Sequence, residues 1–316
     1  MNRILSLFLA AALLAAAPLS ARDARADARP PGAAIASAHA LATEAGFETL
    51  EAGGNDFDAA VTVSAVLSVV EPISSGLGGG GFFLLHDARS GRDVFVDARE
   101  TAPAAATSER YLAADGSFDR DRAINGPWSA GIPGLPAGLV HVAQTYGRLP
   151  LSVSLAPAIR IAREGFPVYE RMARGYEMRR EVMERYPGTR EVFLAGGAPP
   201  RVGDLFRQPD LARTLELLAQ HGHDGFYRGE VARKLVEGVN AEGGQWTLEE
   251  LASYTVKERE PVRFRYRGWE IVTAPPPSSG GIALAQMLQI LQGWELDRLD
   301  EVQRTHLVVE SMRRAY

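Results

Sequence analysis

Arg99 is the side chain in this sequence best placed to do chemistry on a small acidic molecule. It follows the run Asp93-Val94-Phe95-Val96-Asp97 and precedes Glu100. A guanidinium at a strand end can grip a carboxylate through two parallel hydrogen bonds. The flanking acids also allow an internal salt bridge, the commoner role of an arginine beside carboxylates, and spacing alone does not decide for substrate binding. His221-Gly222-His223-Asp224 offers metal-ligand residue types, but no second cluster completes a site, and Gly222 points to a helix-terminal turn. Ser278-Ser279-Gly280-Gly281 sets hydroxyls and amides ahead of an apolar helix, where they can serve an oxyanion or simply cap the helix. The run Gly76-Leu77-Gly78-Gly79-Gly80-Gly81 satisfies G-x-G-x-x-G only formally. A dinucleotide loop needs a strand before it and a helix after it. Here the order reads helix, glycines, strand, which indicates a bend where backbone segments approach closely.

These residues need elements to hold them. Asn55 or Asp56 can cap a helix running to Val70, whose small and apolar side chains cover nearly every face, which predicts burial on all sides. Pro72 ends it, because proline disfavours helical geometry in the residue before it. Phe82-Phe83-Leu84-Leu85 is a continuous apolar run that predicts a strand covered on both faces, and Asp93–Asp97 its partner across the turn at Arg89–Arg92. Ahead of this block, residues 33–38 read as a strand of small residues and 41–50 as a helix stopped by Gly53-Gly54. Residues 107–128 are polar and aspartate-rich, the pattern of a surface excursion.

Periodicity then predicts helices over 137–146, 152–164, 168–185, 209–220 and 229–240, separated by glycine and proline. Thr247-Leu248-Glu249-Glu250 is a capping box. Strand character returns at 262–266 and 270–273, followed by an apolar helix over 282–291 and a last helical pattern from Val302 that carries no stop signal before Tyr316.

With 316 residues, 46% of them hydrophobic, the chain can bury a large core. Met1-Asn2-Arg3, the apolar run Ile4–Ala17 and the small residues after it have the three regions of a secretory signal peptide, with cleavage after Ala21 or Ala26. Residues 1–26 are thus read as signal peptide and linker and 27–316 as the working portion, periplasmic or secreted. Loss of three arginines and one aspartate with that leader takes the formal charge from −5 to −7, which disfavours nucleic acid as a partner. The sequence contains no cysteine, so an exported chain must be stabilised by its core, and thiol catalysis or thiolate metal sites are excluded. No cofactor or metal is expected.

Read together and in order, Gly53-Gly54-Asn55 through Asp58-Ala59-Ala60, Gly78-Gly79-Gly80-Gly81-Phe82, Asp97-Ala98-Arg99-Glu100-Thr101-Ala102-Pro103, Gly131-Ile132-Pro133-Gly134 and Pro275-Pro276-Pro277-Ser278-Ser279-Gly280-Gly281 resemble the large-subunit half of gamma-glutamyltranspeptidases (glutathione hydrolases). The likeness covers essentially everything after the leader. It implies an α+β fold of the N-terminal nucleophile hydrolase type, a four-layer αββα sandwich incomplete in this chain. It also implies a precursor that cuts itself into two subunits. The new N-terminal threonine of the small subunit, expected beyond residue 316, would be the nucleophile with its own amine as base. No catalytic residue is then expected in residues 1–316, and Arg99 matches the family arginine that holds the α-carboxylate of the gamma-glutamyl group. The implied partners are glutathione and other gamma-glutamyl compounds, amino acid or peptide acceptors, and the chain's own small subunit. The rival readings are a related acylase acting on glutaryl-type (cephalosporin) side chains, and a noncatalytic protein that captures acidic amino acids.

Overall fold

The computed structural model describes residues 32–316. The leader expected over residues 1–26 lies outside the described residues. Residues 33–38 form no strand and stay exposed or half-buried. Small side chains offer little area to bury, and no neighbouring strand supplies ladder hydrogen bonds. The first helix, α1 (Ala40–Glu51), starts instead from His39, whose Nδ1 accepts the Leu41 amide at 3.2 Å.

Helix α2 (Asp56–Val70) begins in a reciprocal capping box. The Asn55 side chain accepts the amides of Phe57 and Asp58, and the Asp58 carboxylate accepts that of Asn55. The same two side chains reach across the fold: Asn55 Nδ2 donates to the Tyr146 carbonyl at 2.7 Å, and buried Asp58 accepts the Arg148 amide at 2.9 Å. Val61, Ala65, Val66, Val69 and Val70 are all within the core, as the all-round apolar pattern requires. The helix ends before Glu71-Pro72.

After the glycine run, β1 (Gly81–Asp87) and β2 (Arg92–Ala98) pair antiparallel, from Gly81 opposite Ala98 to Asp87 opposite Arg92. The expectation of a strand covered on both faces needs correcting for β1. Phe83 and Leu85 are buried, but Phe82 and Leu84 are 37% and 46% exposed. β1 is an edge strand with one face on the core, whereas central β2 is buried continuously from Val94 to Ala98.

The excursion that follows holds the short helix α3 (Arg120–Ile124) between two 3-10 turns, at Ser108–Tyr111 and Pro127–Ser129. Helices α4 (Leu135–Tyr146) and α5 (Leu151–Glu164) then pack against α2. A two-residue strand β3 (Phe166–Pro167) precedes α6 (Glu170–Arg185) and α7 (Pro187–Phe193), and pairs with β4 (Leu205–Phe206). Next come α8 (Pro209–His221), α9 (His223–Tyr227), α10 (Gly229–Ala241) and α11 (Leu248–Ser253), the last opened by the predicted Thr247–Glu250 box. Strand β5 (Lys257–Arg259) joins the free side of β2, giving the order β1-β2-β5. The hairpin of β6 (Val262–Tyr266) and β7 (Trp269–Thr273) leads into α12 (Gly280–Leu291) and α13 (Glu301–Ala315).

Helix and sheet are therefore mixed, in an α+β arrangement. Of the expected four-layer sandwich, the described residues supply one three-stranded sheet backed by helices, together with two small two-stranded sheets.

Candidate functional site

Arg99 stands immediately after β2, on a backbone held from several sides. Its own amide donates to Asp97 Oδ1 at 3.1 Å, and its carbonyl accepts the Tyr254 hydroxyl at 2.8 Å. Two residues further on, Thr101 exchanges two backbone hydrogen bonds with Ile132, at 2.8 and 3.2 Å. The Gly131-Ile132-Pro133-Gly134 loop is therefore stitched to the Arg99 segment.

The glycines of the sequence motifs converge on this strand end. A Cβ on Gly80 would lie 2.7 Å from both the Ala98 carbonyl oxygen and the Glu100 amide. One on Gly134 would fall on the Ala98 carbonyl oxygen and the Tyr254 hydroxyl. The Gly79 carbonyl in turn accepts the amides of Gly134 and Leu135 at 2.9 and 3.0 Å. The glycine run is thus a close-approach bend that lets two loops crowd around residues 98–100, as its position before a strand suggested.

The far side of the clamp is aromatic. Tyr254 stacks on Tyr227 with ring centroids 5.5 Å apart, and Tyr227 stacks on His223 at 4.3 Å. The Tyr227 hydroxyl donates to the Pro133 carbonyl at 2.7 Å, and His223 Nε2 lies 2.9 Å from the Tyr254 carbonyl oxygen. Burial, reinforced by the charges of Asp97 and Glu100, pushes the Tyr254 phenol well above its ordinary range, so it remains a donor to the Arg99 carbonyl. His221 and His223 accordingly belong to a helix-terminal turn and its packing, with Gly222 at a positive φ of 57° between them. No cluster of His, Cys, Asp and Glu suited to a metal occurs among the described residues.

The Arg99 side chain itself is exposed, and among the described residues it makes no ion pair. Its guanidinium carbon sits 5.9 Å from the Phe82 ring centroid. Asp97, one of the two flanking acids, is instead held by Arg259, whose Nε and Nη2 reach Asp97 Oδ2 at 2.9 and 2.8 Å. The internal salt bridge that the sequence allowed for Arg99 is therefore taken by another arginine. What remains is a cation on a fixed backbone facing solvent, an arrangement suited to gripping a carboxylate.

Ser278 and Ser279 are not drawn into this site by any hydrogen bond. Ser279 occupies the N-cap position of α12 without a side-chain capping bond, and Ser278 Oγ accepts only the Gly280 amide, at 3.3 Å. A groove of about 610 Å³ opens elsewhere, between Ile124–Pro127, Arg179–Thr189 and Gly238–Glu242, and shares no residue with the Arg99 site. Sequence reasoning missed Tyr227, Tyr254 and Arg259. None belongs to a motif, and only their contacts across more than 90 residues of chain reveal them.

Comparison with known proteins gives this geometry a family. The sequence profile of the gamma-glutamyltranspeptidase family matches residues 42–316. A glutathione hydrolase proenzyme from Pseudomonas sp. (strain A14) is 38% identical over 285 residues, covering 89% of this chain and 49% of that protein. An acylase ACY 1 proenzyme from Pseudomonas sp. (strain SE83) is 36% identical over 290 residues, covering 89% of this chain and 52% of that protein. The crystal structure of Helicobacter pylori gamma-glutamyltranspeptidase superposes with a TM-score of 0.87 at 39% identity, over 90% of this chain and 82% of that one. The chain spans about half the length of the curated relatives it matches. With the profile covering nearly all of the described residues and its glycine and arginine motifs assembled at one strand end, the chain belongs to the gamma-glutamyltranspeptidase family.

Proposed function

We propose that the complete protein is an exported gamma-glutamyltransferase and glutathione hydrolase, to which this chain contributes the carboxylate grip. The observation that carries the reading is the exposed guanidinium of Arg99, which makes no ion pair among the described residues, on its clamped strand end. Arg99 holds the α-carboxylate of the donor through a bidentate fork, and so fixes the distance to the remote γ-carbonyl. The family resemblance supplies the rest. The hydroxyl of a threonine beyond residue 316 attacks the γ-carbonyl carbon while its own amine takes the proton. The amide nitrogen leaves with a proton, and an acyl-enzyme remains. Water, or the amine of an amino acid or peptide, then attacks the ester and releases the threonine. In this reading the partner subunit comes from the same precursor, in keeping with the proenzyme names of the relatives.

In the complete protein, Arg99→Lys keeps the charge but loses the fork. It should weaken use of a gamma-glutamyl anilide by about 1–3 kcal/mol, roughly ten- to a hundredfold in kcat/KM. Unchanged kinetics in a normally folded variant would remove Arg99 from the substrate site. Export rests on the leader pattern, and mass spectrometry of the exported protein should find its N-terminus between Arg22 and Pro31. Retention of Met1 would overturn it.

A second reading is favoured by the similarity to acylase ACY 1. A glutaryl chain ends in the same carboxylate and lacks only the α-amine, so Arg99 would grip it equally. Relative kcat/KM on glutaryl and gamma-glutamyl amides separates the two.

A further inference from the structure

We propose that Arg259 is the residue that keeps Arg99 available: by holding Asp97, it denies the Arg99 guanidinium an internal partner and leaves it for an incoming carboxylate. This rests on the reading of Arg99 as the carboxylate grip.

The argument begins with the register of the sheet. Phe82 lies directly opposite Asp97, and the Arg99 guanidinium stands over the Phe82 ring. Cross-strand neighbours point to the same face, so Asp97 and the Arg99 head group share one side of the sheet. Arg259, paired with Phe95 on the other side of β2, projects onto that face as well and reaches Asp97 diagonally.

The Asp97 side chain is only 8% exposed, and both of its oxygens are used. Oδ1 accepts the Arg99 amide, and Oδ2 accepts two donors from Arg259. Lys257 is directly opposite Asp97 but makes no ion pair with it among the described residues. Glu100, the other flanking acid, turns toward Gly79 and Gly131.

A nearly buried carboxylate deprived of its cation does not stay unpaired at little cost. With Arg259 gone, Lys257 and Arg99 are the cations left beside Asp97, and Arg99 is the one already tied to it through its amide. Its guanidinium would then fold back onto Asp97, restoring the internal salt bridge that the native structure avoids. Substrate would have to break that pair before binding, so the loss should appear in KM and not in the chemistry that follows.

The test is steady-state kinetics of the complete protein on a gamma-glutamyl anilide. Arg259→Gln should raise KM about tenfold or more with kcat within about threefold. Adding Asp97→Asn should lower KM again, because the competing charge is gone while the asparagine oxygen still accepts the Arg99 amide. In a folded Arg259→Gln protein whose unfolding midpoint is unchanged, that rescue of KM is one a merely structural role for Arg259 would not produce. If the single variant does not fold, the double variant, which leaves no buried charge unpaired, carries the test alone, and a KM near that of the unmodified protein is expected. A folded Arg259→Gln protein with unchanged KM, or a double variant as weak as Arg99→Gln, overturns the inference. Arg99→Gln with unchanged KM would sink the underlying reading and the inference with it, whereas a raised KM there beside an unchanged KM in Arg259→Gln sinks the inference alone.

Discussion

Helices α2 and α12 have similar sequences in the sense that matters for composition, and opposite surroundings. Both are rich in small and aliphatic residues on nearly every face. Of the fifteen residues of α2, nine are buried, among them Val61, Val66 and Val69. Of the twelve in α12, only Gly281, Ala283 and Leu291 are buried, while Ile282, Leu284 and Ile290 are 43%, 38% and 41% exposed. The neighbouring elements share this openness, with Trp269 at 73%, Trp294 at 49% and Val302 at 78%. The glycines do not follow that division. Gly80, Gly131 and Gly134 beside Arg99 have no room for a Cβ, and at the start of α12 Gly280 meets nothing closer than Ser278 Oγ at 3.5 Å while Gly281 is pressed against the Ala274 carbonyl oxygen. Apolar composition thus states that a helix calls for cover, and packing decides whether residues 37–316 provide it.

The comparison can be broken most directly at Gly134. Gly134→Ala drives a methyl group into the Ala98 carbonyl and the Tyr254 hydroxyl, neither of which can yield without moving the strand end. It should cost about 3 kcal/mol, measured by denaturant unfolding. The same change at Gly280, in open space at the start of a helix, should be neutral or stabilising by up to about 1 kcal/mol. Equal effects at the two glycines would dissolve the distinction between the regions.

A second pair compares the helices themselves. Val66→Ala empties fully buried space and should cost roughly 2 kcal/mol. Ile290→Ala trims a side chain already 41% exposed and should stay within about 0.5 kcal/mol. A cost at Ile290 matching that at Val66 would mean that the open face is covered in solution.

Tyr254→Phe should be milder, about 1 kcal/mol of stability, since it deletes one partly buried hydrogen bond to the Arg99 carbonyl and preserves the stack on Tyr227. If Tyr254→Phe leaves both unfolding midpoint and KM untouched, the clamp is weaker than its geometry.

The smallest effect concerns acid. Hydrogen bonds from Tyr146 and His141 hold the Glu258 carboxyl below its ordinary value of 4.5, the Tyr146 bond foremost, and the same contact with burial pushes the Tyr146 phenol up to about 12. A depressed folded value means that the ionised form stabilises the fold at neutral pH. That contribution is present above the ordinary value and is lost as pH falls below 4.5 through the folded one. Glu258→Gln should therefore flatten the acid limb of the stability profile, followed by thermal unfolding between about pH 3 and pH 7. An unchanged slope would show that Glu258 does not link β5 to α4.

The amino-acid sequence by itself determined whatever depends on residues a few positions apart. The helix cap at Asn55, the capping box at Thr247, the stop at Pro72, the strand that presents Arg99 and the glycine bend before it are all signalled by residue types a few positions apart, so local chemistry suffices to read them. Tertiary structure alone decided three things. Among the described residues it left 33–38 without a sheet partner, and it made β1 an edge with Phe82 and Leu84 open where an unbroken apolar run implied cover. It also gave Asp97 to Arg259 and the Arg99 carbonyl to Tyr254, partners that lie 162 and 155 residues away along the chain. Residue types show that Arg99 has an acid beside it. Which cation that acid holds depends on which strand comes to rest next to β2, and that contact exists only once the chain has folded.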